Sequence, residues 1–463
     1  MDCALLDELE TKGAFAYMGL PNRLWSPLLF ALFLVSPLSS WGQETLILRE
    51  SWSIGQTYQI SIRADLKGKI ILPDDPQKKA KSQQIDLYGN SKIDYDERIL
   101  KLDSQRVVQV LRHYQGMDFQ RTVGQQTQES QLRPQARLVM IHRETGRSGL
   151  IFSPLHPLTW HEVDQIRMDQ FFPLLQGLLP QGKVRVGDRW LAETATLLEL
   201  ADLESIKDAK IECQLAEVRT TSGQRYAVIH FHGQLFGQNR DGDNRQKLNG
   251  ELYFDLVKNQ IIYLSMNGVS ALLDQKGAET GWIEGRFVIT RKPSQSNELT
   301  DEALSKLQLE PNARNTALLF ADADLGMSFV YPRTWKIREA DQRQVIVDFP
   351  EQGGFVITRE PLAQTPTIHQ FQSEVQNALK QQKVTILKSE QPVRVRSAPD
   401  ILDRFRCQVE TNDRQQMQLE YFVLRQSVAG ATVAARYPQP QAPSLAAEME
   451  QMLNSLKLFA VAK

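Results

Sequence analysis

The sequence is poor in cysteine, in net charge and in long apolar runs, and each shortage narrows what the chain can be. Three cysteines stand in 463 residues, Cys3, Cys213 and Cys407, too few for a disulfide framework to hold the fold together. Cys213 alternates with Ile211 and Leu215, and Cys407 with Phe405 and Val409, as small inward residues of two strands do. The formal net charge is −1, from 54 basic and 55 acidic residues. With both signs interleaved, no bulk field favours nucleic acid or an anionic lipid surface. Lys78, Lys79 and Lys81 follow a Pro-Asp-Asp-Pro turn without interleaved aromatics and read as an exposed loop.

The apolar run Leu28 to Leu38 falls short of the ~20 residues that a spanning helix needs. Arg23 precedes it, and the small residues Ser39, Ser40 and Gly42 follow it, which is the layout of a secretory signal peptide. Cutting after Gly42 leaves Gln43 as the mature start. No cysteine stands there to take a lipid. Met1 to Tyr17 is acidic and fits no leader, so Met18 is the expected start: residues 1–42 form a non-mature leader, with the signal peptide at about 18–42. The expected place of the protein is therefore exported, periplasmic or extracellular. Membrane contact is expected only through the leader before cleavage.

Apolar residues make up 41% of the chain and charged residues 24%, ordinary proportions for a globular protein of two or three domains. Residues 43–292 carry mostly strand patterns, such as Tyr58, Ile60 and Ile62 in alternation and a hairpin signal at Lys258-Asn259. One helix, between Trp160 and Pro180, interrupts them. Residues 293–315 are polar with proline at both ends and read as a linker. Residues 316–463 alternate strands and helices. Thr367 with Gln370 predicts a capping box, and a final helix is expected behind Ser444, burying Leu445, Met449, Met452, Leu453 and Leu456. The expected fold class is α+β: a mostly antiparallel, half-barrel-like β domain with one helix, then an α-β-α sandwich.

Gly326-Met327-Ser328-Phe329-Val330-Tyr331-Pro332 with Trp335-Lys336-Ile337, and Asn454-Ser455-Leu456-Lys457-Leu458 at the end, resemble the PsbP, DcrB and Mog1 superfamily. The resemblance covers roughly the last third of the chain. It implies a binding or assembly module, and no ligand residues are carried across. Pro180-Gln181-Gly182-Lys183-Val184-Arg185-Val186-Gly187-Asp188-Arg189-Trp190 is similar to a phrase in uncharacterised exported β-rich bacterial proteins of planctomycete type. The LolA and LppX carrier folds are an analogy of architecture, which licenses no function.

The near-motifs for chemistry mostly fail on a named residue. Gly177 to Lys183 has phosphate-loop spacing, yet Val184 stands where Ser or Thr would hold Mg²⁺, and the strand and helix come in the wrong order. His161-Glu162 lacks the second histidine of a zinc protease. Asp241-Gly242-Asp243 lacks the later glutamate of a calcium loop, and Asp94 with Asp96 reads as a solvated face. His230 and His232, two apart on a strand, leave by one face and offer two metal donors; His156 and His161 are candidate companions. A solvent-facing pair is the plainer reading. The expectation is a non-catalytic exported envelope protein, binding an apolar ligand or serving as a protein-assembly module, with no cofactor and no assigned site residues. The alternative is a hydrolase or metal-dependent enzyme with a dispersed site around His230 and His232.

Overall fold

The computed structural model describes residues 44–72, 83–104, 106–143, 149–167, 172–239, 242–274, 276–341, 343–349, 353–411, 414–439 and 442–461. The leader with Cys3, the lysine cluster and Asp241 lie outside the described residues. Among the described residues no helix is long and apolar enough to cross a membrane.

Twelve strands form the largest sheet. They are β1 (Thr57–Leu72), β2 (Gln83–Asp103), β3 (Arg106–Val123), β4 (Gln126–Gln131), β5 (Leu138–His142), β6 (Leu150–Phe152), β7 (Arg189–Leu191), β8 (Ser205–Thr221), β9 (Gln224–Asn239), β10 (Gly242–Asp255), β11 (Gln260–Leu273) and β12 (Glu279–Pro293). Their order is β7-β8-β9-β10-β11-β12-β1-β2-β3-β5-β6, with β4 beside β3. Two antiparallel meanders are thus sealed where Gly281 to Pro293 of β12 pairs with Tyr58 to Ile70 of β1. Side chains alternate along each strand, so Ile60, Ile62 and Ala64 face the core while Ser61, Arg63 and Asp65 face outward. Gly68 and Gly281 let β1 and β12 approach closely: a Cβ on Gly68 would stand 2.4 Å from the Trp282 carbonyl oxygen, and one on Gly281 2.5 Å from that of Lys69.

Helical segments cover part of the inner face. Helix α1 (Trp160–Arg167), the 3₁₀ turn Phe172–Leu178 and helix α2 (Thr194–Leu200) place Val163, Ile166, Leu175, Leu178, Leu197 and Leu200 in one core with Ile60, Ile229 and Leu252. Each apolar side chain so buried stabilises the fold by roughly 1.5–3 kcal/mol before entropy is counted. The expected linker packs too. Its short helix α3 (Asp301–Leu304) and the preceding turn bury Leu299 and Leu304 against Leu111, Leu138, Met140 and Phe152.

After residue 316 come β13 (Leu318–Asp322), β14 (Met327–Tyr331), β15 (Lys336–Ala340), β16 (Gln344–Asp348), β17 (Gly354–Glu360), β18 (Thr385–Ser389), β19 (Val393–Arg396), β20 (Ile401–Glu410), β21 (Gln416–Arg425) and β22 (Gly430–Pro438), with helices α4 (Ile368–Gln381) and α5 (Ala442–Ser455). An eight-stranded sheet runs β15-β16-β17-β22-β21-β20-β18, with β19 on β20. A four-stranded sheet runs Lys457–Leu458, β14, β13 and Leu158–Thr159. The last strand belongs to the first half of the chain and pairs in parallel with Leu318 and Leu319. The Arg333 guanidinium adds a hydrogen bond to the Ile151 carbonyl at 2.5 Å.

The expected α+β class with an α-β-α second half is therefore corrected: the chain is mostly β, made of several large antiparallel sheets. None closes into a barrel among the described residues, since β7 and β6 end the largest sheet without pairing to each other. The physical reason is that short strands such as β15 and β18 are largely exposed. Their backbone bonds to neighbours make them strands, and they have no apolar period to announce it. Ser444 lies within α5, not before it. The Thr367–Gln370 capping box forms, with both reciprocal bonds present.

Candidate functional site

The outer face of the twelve-stranded sheet brings polar residues of neighbouring strands into line. His230 of β9 stands opposite Gln214 of β8 and Glu251 of β10, and Glu251 opposite Ser265 of β11. One step along, His232 stands opposite Glu212 and Asn249, and Asn249 opposite Asn267. Period-two alternation puts both histidines outward, exposed, while Phe231 between them is 1% exposed and packs inward. Together with backbone at Phe231 and Gly250, His230, His232, Asn249, Glu251, Ser265 and Asn267 line an open cleft of about 380 Å³.

The remaining candidates do not join them. His161 shares a hydrogen bond with Ser130 at 2.8 Å, and His156 is exposed beside the turn at Pro157. Among the described residues no three His, Cys, Asp or Glu side chains surround one point. Asp94 binds Ser61 at 2.5 Å and Arg63 at 3.0 Å. Asp96 is 6% exposed and accepts from Gln115 and Ser294, both at 2.8 Å. Both carboxylates are therefore occupied by strand-to-strand contacts. Lys183 lies in a two-residue strand paired with Ile47, far from any phosphate-loop geometry. Cys213 and Cys407 are both buried and free, as the alternation predicts, and burial pushes the Cys213 thiol up to about 12.

Sequence reasoning missed a second constellation, inside the sheet. Glu97 and Arg112, each 1% exposed, pair at 2.7 Å on β2 and β3. Arg112 lies 4.3 Å from the Tyr95 ring centre and donates to the Tyr114 hydroxyl at 3.2 Å. Two strands from β2, Arg291 of β12 pairs with Glu50, the two being 1% and 0% exposed. Its guanidinium sits over Trp52 and Tyr58, 4.8 and 5.0 Å from their centres. Glu50 also accepts from the Ile261 amide at 2.9 Å, so this pair fastens residues 48–52 onto the sheet. Burial pushes the Glu50 carboxyl above its ordinary value, and Arg291 only partly opposes this. Tyr58 is driven up to about 12 for the same reason. The layer is closed to solvent. Its chemistry is that of a strut: opposite charges paired across neighbouring segments, locking strand against strand.

A third carboxylate organises the seam between the halves. Thr159 and Glu162 form a capping box at the start of α1, the Thr159 amide donating to Glu162 at 2.8 Å and the Glu162 amide to the Thr159 hydroxyl at 3.1 Å. Arg133 closes on Glu162 through Nε and Nη2, both at 2.7 Å.

No protein-family model and no curated protein sequence matches the chain. Among solved structures, cyanobacterial PsbP (CyanoP) from Synechocystis sp. PCC 6803 is similar over 31% of this chain and 92% of its own, at 11% identity and TM-score 0.25. A point mutant of protein Mog1 is similar over 31% of this chain and 96% of its own, at 11% identity and TM-score 0.24. The translocator domain of the autotransporter NalP from Neisseria meningitidis aligns over 84% of this chain and 88% of its own, at 8% identity and TM-score 0.13. PsbP and Mog1 are thus structural neighbours of about a third of the chain, at scores too low to carry a functional argument. The expected likeness of residues 43–292 to planctomycete-type exported proteins and to LolA or LppX finds no support in these comparisons.

Proposed function

We propose that the protein is exported and works as a non-catalytic binding component of the envelope, taking an apolar ligand on the inner face of the twelve-stranded sheet. The leader pattern at residues 18–42 supports export. One observation carries the binding reading: the apolar face of the sheet continues past its helical cover. Leu66 and Ile70 of β1, Ile85 of β2, Leu272 of β11 and Ile283 of β12 share the face of Ile62 and Ile289 by register. All five are half-buried, and none belongs to a packed core cluster. A run of apolar side chains left partly open on a sheet is where such a ligand gains most from burial.

The test joins compartment and site. The N-terminal residue of the exported protein should be Gln43, and an environment-sensitive apolar probe should bind the purified chain. Ile283→Lys should abolish that binding without changing the melting temperature by more than a few degrees. A probe signal untouched by Ile283→Lys, or a chain recovered only from the cytoplasm with its leader intact, would count against the reading. Recovery of a protein partner on the same face, with no apolar molecule, would replace the ligand by an assembly role.

A further inference from the structure

We infer that His230 and His232 form a two-imidazole chelate for a divalent transition-metal ion on the outer face of the sheet. The argument is independent of the apolar-ligand proposal and concerns the opposite face.

Two residues apart on a strand, the side chains start about 6.7 Å from each other and point the same way. Imidazole nitrogens that bind one ion at about 2.0–2.1 Å can be reached from that spacing by both rings. The strand that carries them is held in place: Phe231 is 1% exposed in the core, and β9 is paired on both sides. On the β8 flank the neighbours are already engaged, Glu212 with Arg189 at 2.9 Å and Gln214 with the Gly187 carbonyl at 3.2 Å. The β10 flank is different. Among the described residues neither histidine nor Glu251 makes a side-chain hydrogen bond or ion pair, and all three line the same open cleft. Glu251, opposite His230 in register, lines the same cleft and gives it a negative charge that favours a cation.

Since no third His, Cys, Asp or Glu already completes a set, the pair supplies two donors and leaves the remaining positions to water or an external ligand. A closed structural zinc site is thereby excluded. Two imidazoles with open positions select Cu²⁺, Ni²⁺ or Zn²⁺ over Mg²⁺ or Ca²⁺, which prefer oxygen.

The experiment uses the untagged full chain. Zn²⁺ is titrated in competition with a chromophoric chelator, and Cu²⁺ is read by electron paramagnetic resonance. One ion per chain is expected, with two imidazole nitrogens in the Cu²⁺ spectrum. Affinity should fall at least about tenfold in His230→Ala and in His232→Ala separately. His156→Ala, at an exposed histidine elsewhere, should bind as the parent does. Because both ligands are exposed, circular dichroism of the variants should match the parent, and asparagine at each position provides a second, polar replacement. The proposal is overturned by a parent chain that binds no stoichiometric ion, by a one-nitrogen spectrum, or by full affinity in either histidine variant.

Discussion

The two halves of the chain bury charge differently. Before residue 293, Glu50 with Arg291 and Glu97 with Arg112 are ion pairs in which neither partner reaches solvent. After residue 316 the interior is aromatic, with Trp335, Phe349, Phe355 and Tyr437 in mutual contact. Its buried carboxylate, Glu420, is paired with Arg406, which is 31% exposed. Strand length explains the contrast. The strands β1, β2 and β3 have 16, 21 and 18 residues, whereas β20, β21 and β22 have 10, 10 and 9. A long strand that slips by two residues keeps its apolar face inward, so hydrophobicity alone defines its register weakly. A buried Arg–Glu pair forbids that slip, because the slipped form strands two charges in the core.

The largest effect should come from breaking one of these pairs. Arg291→Ala leaves Glu50 buried without its partner and is expected to cost about 3–5 kcal/mol in urea denaturation. Replacing both, as Glu50→Leu with Arg291→Met, should leave stability near that of the parent or raise it, while hydrogen exchange along β12 should quicken if the pair sets register. The pH dependence has a definite sign. The folded Glu50 carboxyl lies above its ordinary value of 4.5 because of burial, so its contribution is fully present below that value and lost as pH rises through the folded one. Removing Arg291 removes the group that opposes the rise. The deficit of Arg291→Ala should therefore grow as pH rises above the ordinary value of 4.5. A cost below about 1 kcal/mol throughout would show that the pair does not constrain the sheet.

A smaller effect, of opposite sign in pH, belongs to the seam. Burial pushes the Glu162 carboxyl up, yet the bonds from Arg133 and Thr159 outweigh it and hold the group below its ordinary 4.5. Such a carboxylate adds stability above the unfolded value, and that stability is lost as pH falls through the folded value. Glu162→Gln should cost about 2 kcal/mol at neutral pH, the loss of charge-assisted bonds, and the difference from the parent should shrink below about pH 4. Equal acid profiles for the two proteins would remove Glu162 from the account.

These positions also show where the sequence could be read. Strand alternation around Ile60 and Ile229, the turn at Asn259 with φ of 54°, and inward Cys213 and Cys407 follow from local rules, and the structure has them. The buried charges carry a signal of the same kind. Glu97 stands between Tyr95 and Ile99, Arg112 between Val110 and Tyr114, and Arg291 two residues after Ile289, each on the inward parity of its strand. A charge on the apolar parity marks a buried pair, although its partner is fixed only by register. What was not legible after residue 316 is β15 and β18, which carry no apolar period. Neither was the seam, since Leu158–Thr159 is two residues long and joins a strand 160 positions later. Pairing over such separations is a tertiary outcome that no window of sequence contains.

The smallest effect tests whether the second half owes its helices to local chemistry or to the sheet. Helix α4 lies on β20 and β21 through Phe371 and Val375, beside Phe405 and Tyr421, yet its side-chain burial is modest, with Ile368 and Leu379 each 8% exposed and most other positions open. Its first turn depends on the Thr367 hydroxyl, which accepts from the Gln370 amide at 3.3 Å, while the Gln370 carboxamide accepts from the Thr367 amide at 2.8 Å. Thr367→Ala should therefore cost about 1 kcal/mol, and hydrogen exchange should rise in the first turn of α4 before it rises in β20. If the loss instead spread evenly over β20 and β21, the helix would be held by its packing and the cap would be incidental. The second half would then resemble the first, with tertiary contacts deciding what local sequence leaves open.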